Sequence, residues 1–210
     1  MLWESAQAMT VLGDSLVLMP ASVVFVAVLI RRGKHALASA WMNTLFAGLA
    51  ALWVVKIVGV IFARASGTAL VSVSGHAGLA ALFYPSVVLV VIASRSVGGW
   101  VSNRRMILNG LWVVVAALVV AIALSRVELS AHTPIEIVLG TILGLSFAAG
   151  FARSGRAAVA LPSRWVLWGQ VAVVAGLAVG RVAVEFSGTN LEEHTQATAT
   201  ILIRMVAWVW

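Results

Sequence analysis

The chain has 210 residues, of which 62% are hydrophobic and only 10% charged, where a soluble domain carries about a quarter charged residues. This predicts an all-α polytopic membrane protein with one domain over residues 1–210, and the absence of cysteine excludes disulfides and thiolate metal sites. The net charge of +7 sits in short clusters between apolar runs, which reports orientation in a bilayer and argues against a nucleic-acid partner.

About 20 apolar residues cross a bilayer as a helix, and the chain supplies six such runs in order. The first covers 11–30, interrupted by Asp14 and Pro20, and stops at Arg31-Arg32-Gly33-Lys34-His35. Residues 1–10 contain no Lys or Arg, so no cleavable signal peptide is expected. The second run covers 37–62 and carries Lys56 near its end, before Arg64 and a polar island, Ser72-Val73-Ser74-Gly75-His76. The third covers 77–93, with a kink expected at Pro85. A loop over 94–105 with three arginines leads to the fourth run, 106–124. A second polar island, SRVELSAHTPIE over 125–136, leads into the fifth run, 134–151. The sixth covers 165–186, and the tail 187–210 starts polar and ends apolar, as an interfacial or bundle-packed segment.

Six spans put both polar islands on one side. The other side's connections hold Arg31, Arg32, Lys34, Arg95, Arg104, Arg105, Arg153, Arg156 and Arg164, nine of the fourteen basic residues. The excess of Lys and Arg in cytoplasmic loops then puts the islands, and both termini, outside the cytoplasm. The expected location is the cell (inner) membrane, with the islands facing the periplasm or the outside.

Charge beside a membrane core is expensive, so two such islands need a reason. In the second, Ser125-Arg126 is followed by five residues, His132, three residues and Glu136. In the first, Ser74-Gly75-His76 precedes an apolar helix. Together they resemble the motifs of the type 2 phosphatidic acid phosphatase family: S-R, five residues, H, three residues, D; and P-S-G-H. The Asp is replaced here by Glu136 and the Pro by Val73. A third family motif, K, six residues, R-P, is met loosely by Lys56 and Arg64, with seven residues between them and Ala65 in place of Pro. The extra residue turns a helical Lys by about 100°. The resemblance covers 56–140.

An imidazole attacks phosphorus near neutral pH when a partner fixes its tautomer, which makes His132 the candidate nucleophile. Glu136 lies one helical turn on, where an orienting carboxylate belongs. Thr133-Pro134-Ile135-Glu136 is also a capping box, and the two roles are compatible. The planar fork of Arg126 suits two phosphate oxygens, and the alternative is an arginine snorkelling to headgroups. A helix start at Ser74-Gly75 offers free N–H groups and a positive dipole end to an anion, or simply an N-cap serine. By the resemblance, His76 is the general acid for the leaving oxygen. Arg64, in the connection between helices, and Lys56 join the phosphate contacts, although Lys56 is equally suited to snorkelling. His35 and His194 read as surface residues, and Arg181 with Glu185 as an intrahelical ion pair. No two histidines have metal-site spacing, so no metal or other cofactor is expected.

The resemblance implies a bundle of six transmembrane helices and a lipid phosphatase. The substrate would be a lipid phosphate or diphosphate, cleaved at the outer face through a phosphohistidine. The same intermediate passed to a second lipid would make a phosphotransferase, and loss of chemistry would leave a non-catalytic lipid-binding relative.

Overall fold

The computed structural model describes residues 2–67, 72–93, 104–154 and 200. Among these residues six helices follow one another: α1 (Leu2–Val11), α2 (Ser15–Arg31), α3 (His35–Ser66), α4 (Gly75–Ala93), α5 (Arg104–Glu128) and α6 (Pro134–Ser154). Among the described residues there is no strand. Five of the described stretches are long and apolar enough to cross a membrane: Trp3–Arg31, His35–Ser66, Gly75–Ile92, Met106–Glu128 and Pro134–Ser154. The sixth expected span, 165–186, lies outside the described residues, as do Arg181, Glu185 and His194.

The helix boundaries move in three informative places. The first stretch starts earlier than 11 and is broken. The amides of Leu12, Gly13 and Asp14 turn back onto Met9, Thr10 and Val11, ending α1. Asp14 then takes an extended conformation and caps α2, its Oδ1 accepting the Leu16 amide at 2.8 Å. The charge that interrupts the apolar run is thus the residue that restarts the helix. In α3, helix continues past residue 62 to Ser66, because Ala63, Arg64 and Ala65 favour it. It ends at Gly67, whose φ of 69° is the left-handed stop that glycine adopts without strain. In α5, Ser125, Arg126 and Glu128 are still helical, so the connection to α6 is only 129–133. The helix α4 runs on through the buried Pro85.

Packing holds α4 against α6 at backbone contact. A Cβ on Gly140 would collide with the Ser74 carbonyl oxygen, and one on Gly144 with that of Gly78. Small residues allow such close approach between apolar helices. At the other end, Trp41 meets Phe25, Phe83 and Phe151 edge-to-face at centroid distances of 5.4, 5.8 and 5.5 Å, joining α2, α3, α4 and α6. Outward faces stay apolar: Trp53, Val58, Val113, Val120, Val138 and Ile142 are exposed, which suits contact with lipid.

Candidate active site

The two polar islands are bonded to each other through Glu136. Its Oε1 accepts the Ser72 amide at 2.8 Å, and its backbone carbonyl accepts the Ser74 amide at 3.0 Å. The close approach of α4 and α6 at Gly140 makes this register possible. The other carboxylate oxygen, Oε2, accepts the Thr133 amide at 2.9 Å and faces His132 Nδ1 at 3.3 Å. The capping box and the orienting role expected of Glu136 therefore coexist geometrically. A carboxylate only accepts, so Nδ1 carries the hydrogen and Nε2 keeps its lone pair.

The spacing from Arg126 to His132 has a local cause. The Arg126 carbonyl accepts the amides of both Ala131 (3.1 Å) and His132 (3.3 Å), while Ser130 turns the chain at φ 51°. The end of α5 folds back on itself and sets His132 against the residue that carries the guanidinium. This corrects the expectation that the fourth run ends at 124: Arg126 is in the last turn of α5. Its Nη1 donates to Thr10 Oγ1 at 2.9 Å, and its Nε is buried without a hydrogen-bond partner among the described residues. An orphaned buried donor costs about 1–3 kcal/mol, a penalty that an anion accepting from Nε would relieve.

Lys56 reaches the same place despite its extra residue of spacing. Its Cε would lie 3.9 Å from a Cβ on Gly75, and its charge, like that of Arg126, bears on His132. Burial pushes the His132 imidazole below its usual range. The hydrogen bond and charge of Glu136 act against this, and the charges of Lys56 and Arg126 reinforce it. On balance the neutral imidazole is favoured over the charged one.

Arg64 is not brought to this group. It lies in the last turn of α3 rather than in a connection, about 12 Å along the axis beyond Lys56 at 1.5 Å per residue, and its exposed Nη1 donates to Thr200 Oγ1 at 2.8 Å. Ser74 also changes its part. Its amide is committed to Glu136, its buried Oγ lies 3.5 Å from the Ala77 amide in N-cap position, and its carbonyl accepts from Gly78. The first-turn amides of Gly75 and His76 have no acceptor within the helix. The N-termini of α4 and α6 both open here, so two positive dipole ends converge on the site.

His76 is paired as well: its Nε2 lies 3.1 Å from Asp14 Oδ2. The sequence reading missed Asp14 and Thr10. A carboxylate inside an apolar run was the one signal for Asp14, and nothing marked Thr10. The site has a dry half and a wet half, His132 and Glu136 being 12% and 6% exposed, His76 and Asp14 25% and 22%. Glu128 is exposed and apart from the bonds described. A groove of about 440 Å³ between α3 and α6, lined by Asn43, Thr44, Ser146 and Phe147 among others, opens toward the opposite end of the bundle.

No family model, curated protein or solved structure matches the chain. The residues and their geometry carry the functional reading.

Proposed function

We propose that the protein is a membrane lipid phosphatase that cleaves a lipid phosphate or diphosphate through a phosphohistidine on His132, in the manner of the type 2 phosphatidic acid phosphatases it resembles. The observation that supports this best is the convergence, at one end of the bundle, of a neutral His132 held by Glu136, a second His, and a buried guanidinium with an unpartnered Nε. A phosphoryl group fits that set. Arg126, Lys56 and the first-turn amides of Gly75 and His76 offset the charge on its oxygens, which is usually the largest catalytic contribution. Nε2 of His132 attacks phosphorus in line, and His76 gives its proton to the departing oxygen. Water then releases inorganic phosphate. Arg64 stands outside this constellation in the reading.

The basic residues cluster at the other end. Arg31, Arg32, Lys34 and Arg153 are exposed where α2 meets α3 and where α6 ends. That favours a site on the outer side of a cell (inner) membrane. Purified protein in detergent or liposomes is expected to release inorganic phosphate from a lipid phosphate, and His132→Ala to release none. A phosphoryl group found instead on an added second lipid would make the protein a transferase. Equal turnover by His132→Ala would remove the phosphatase reading.

A further inference from the structure

We propose that Asp14, at the break between α1 and α2, is the positioning residue for His76, and that it holds the ring by Nε2–H and supports its doubly protonated form, so that Nδ1 delivers the proton in the leaving-group step. The inference rests on the phosphatase reading for its chemistry and on the structure alone for its geometry.

The residues around the break are tied to the site and the helices that carry it at four points. Thr10 accepts from Arg126 and Asp14 pairs with His76. The Leu12 carbonyl accepts from the Tyr84 hydroxyl at 2.8 Å. Gly13 is packed so closely that a Cβ there would lie 3.2 Å from the His76 carbonyl oxygen and 2.6 Å from Ile122 Cγ2. These contacts fix the turn against α4 and α5. Within it, the two oxygens of Asp14 divide their work: Oδ1 caps α2 through the Leu16 amide, and Oδ2 faces His76 Nε2. The break in the first apolar stretch thereby delivers a carboxylate to a histidine 62 residues away.

The two histidines are held through opposite ring nitrogens. Glu136 takes Nδ1 of His132 and leaves Nε2 to attack. Asp14 takes Nε2 of His76 and leaves Nδ1 to face the departing oxygen. In the transfer step the Nε2 lone pair of His132 forms the N–P bond as the P–O bond to the lipid breaks. The electron pair of that bond goes to the lipid oxygen, which takes the proton from Nδ1 of doubly protonated His76. His76 is left neutral with its hydrogen on Nε2, still donating to Asp14, which stays ionised throughout. In the second step the neutral Nδ1 accepts a proton from water as the water oxygen attacks phosphorus. The P–N bond breaks, and its electron pair returns to His132 Nε2. Asp14 serves both steps by keeping one tautomer and offsetting the charge of the protonated ring.

Asp14→Asn is the discriminating variant. Asn caps a helix as well as Asp does, so α2 keeps its start. Its NH₂ faces His76 Nε2, so the neutral ring carries its hydrogen on Nδ1, and the doubly protonated ring that acts as the acid is opposed at Nε2 and loses its charge partner. The expected result is a fall in kcat/KM of about 30- to 100-fold on an alkyl lipid phosphate, just under the 10²- to 10⁴-fold of a whole general acid because His76 itself remains. On a nitrophenyl phosphate, whose leaving group departs without a proton, kcat/KM, which reports the transfer step alone, should fall by under about threefold. ¹⁵N spectra of histidine-labelled protein, with His76→Gln identifying the His76 ring among the four histidines, should show the neutral ring as the Nε2–H tautomer in the parent and Nδ1–H in Asp14→Asn. Equal losses on both substrates, no loss on either, or an unchanged tautomer would overturn the assignment. A parent protein that hydrolyses neither substrate would remove the phosphatase reading and the proton-transfer role with it. The tautomer measurement still reads the Asp14–His76 pair by itself, so the two failures are told apart.

Discussion

Replacing Glu136 by Gln probes both jobs of the residue at once. The carboxylate accepts three N–H groups: Ser72 at 2.8 Å on Oε1, and Thr133 at 2.9 Å and His132 Nδ1 at 3.3 Å on Oε2. A carboxamide has one accepting oxygen and one donating nitrogen. With its oxygen at the Oε2 position, its NH₂ opposes the buried Ser72 amide, and an unsatisfied buried donor costs about 1–3 kcal/mol. With its oxygen at Oε1, its NH₂ opposes Thr133 and His132 and selects the wrong tautomer, so Nε2 loses its lone pair for attack. Either placement weakens the join between the polar islands or disables the nucleophile. The expected outcome is a kcat/KM lower by about 10²- to 10⁴-fold, the range lost with general acid–base support. A lowered midpoint for thermal unfolding in detergent should accompany it. His132→Ala, which keeps the Ser72 and Thr133 bonds, should lose activity with a smaller loss of stability. Glu136→Gln with kcat/KM within about threefold of the parent would refute the reasoning, since no placement of the amide satisfies all three donors.

Arg126→Lys keeps the charge and loses the fork; with Nε no longer present to meet an oxygen, kcat/KM should fall about 10- to 100-fold, by the 1.5–3 kcal/mol of a charged hydrogen bond. Unchanged phosphate turnover in that variant would leave Arg126 as a structural partner of Thr10. The pH profile follows from His132, which attacks when neutral and is pushed below its usual range by burial. Protonation in acid switches it off, so the acid limb of kcat/KM should lie below the ordinary imidazole value of about 6.5. Lys56→Met removes a charge that pushes the same way, so its limb should move to higher pH, and a limb moving to lower pH would contradict this placement of Lys56.

The first five apolar runs were legible because a stretch of about 20 apolar residues has few other fates. Their ends were not, since residues such as Ala63-Arg64-Ala65 and Ser125-Arg126 are polar enough for a loop yet still extend α3 and α5. That misplacement put Arg64 in a connection, whereas it lies on α3 bonded to Thr200, and Lys56 is the one beside Gly75. The pairing of His132 with Glu136 was readable because it is local, four residues along one helix start. The pairing of His76 with Asp14 depends on how α1, α4 and α5 pack, and a single sequence carries no record of that. Ser74 shows the reverse case: its place at a helix start was readable, while the use of its amide by the Glu136 carbonyl needed the register of α6.

The central claim is that His132 takes the phosphoryl group. Parent protein mixed with ³²P-labelled lipid phosphate and quenched within milliseconds should carry label that is stable in base and lost in acid, on the peptide that contains His132. Slowing release with His76→Ala and a good leaving group should increase the labelled fraction, and His132→Ala should carry none. Label that persists in His132→Ala, or parent protein that turns over lipid phosphate while never acquiring label at any quench time, would contradict the account.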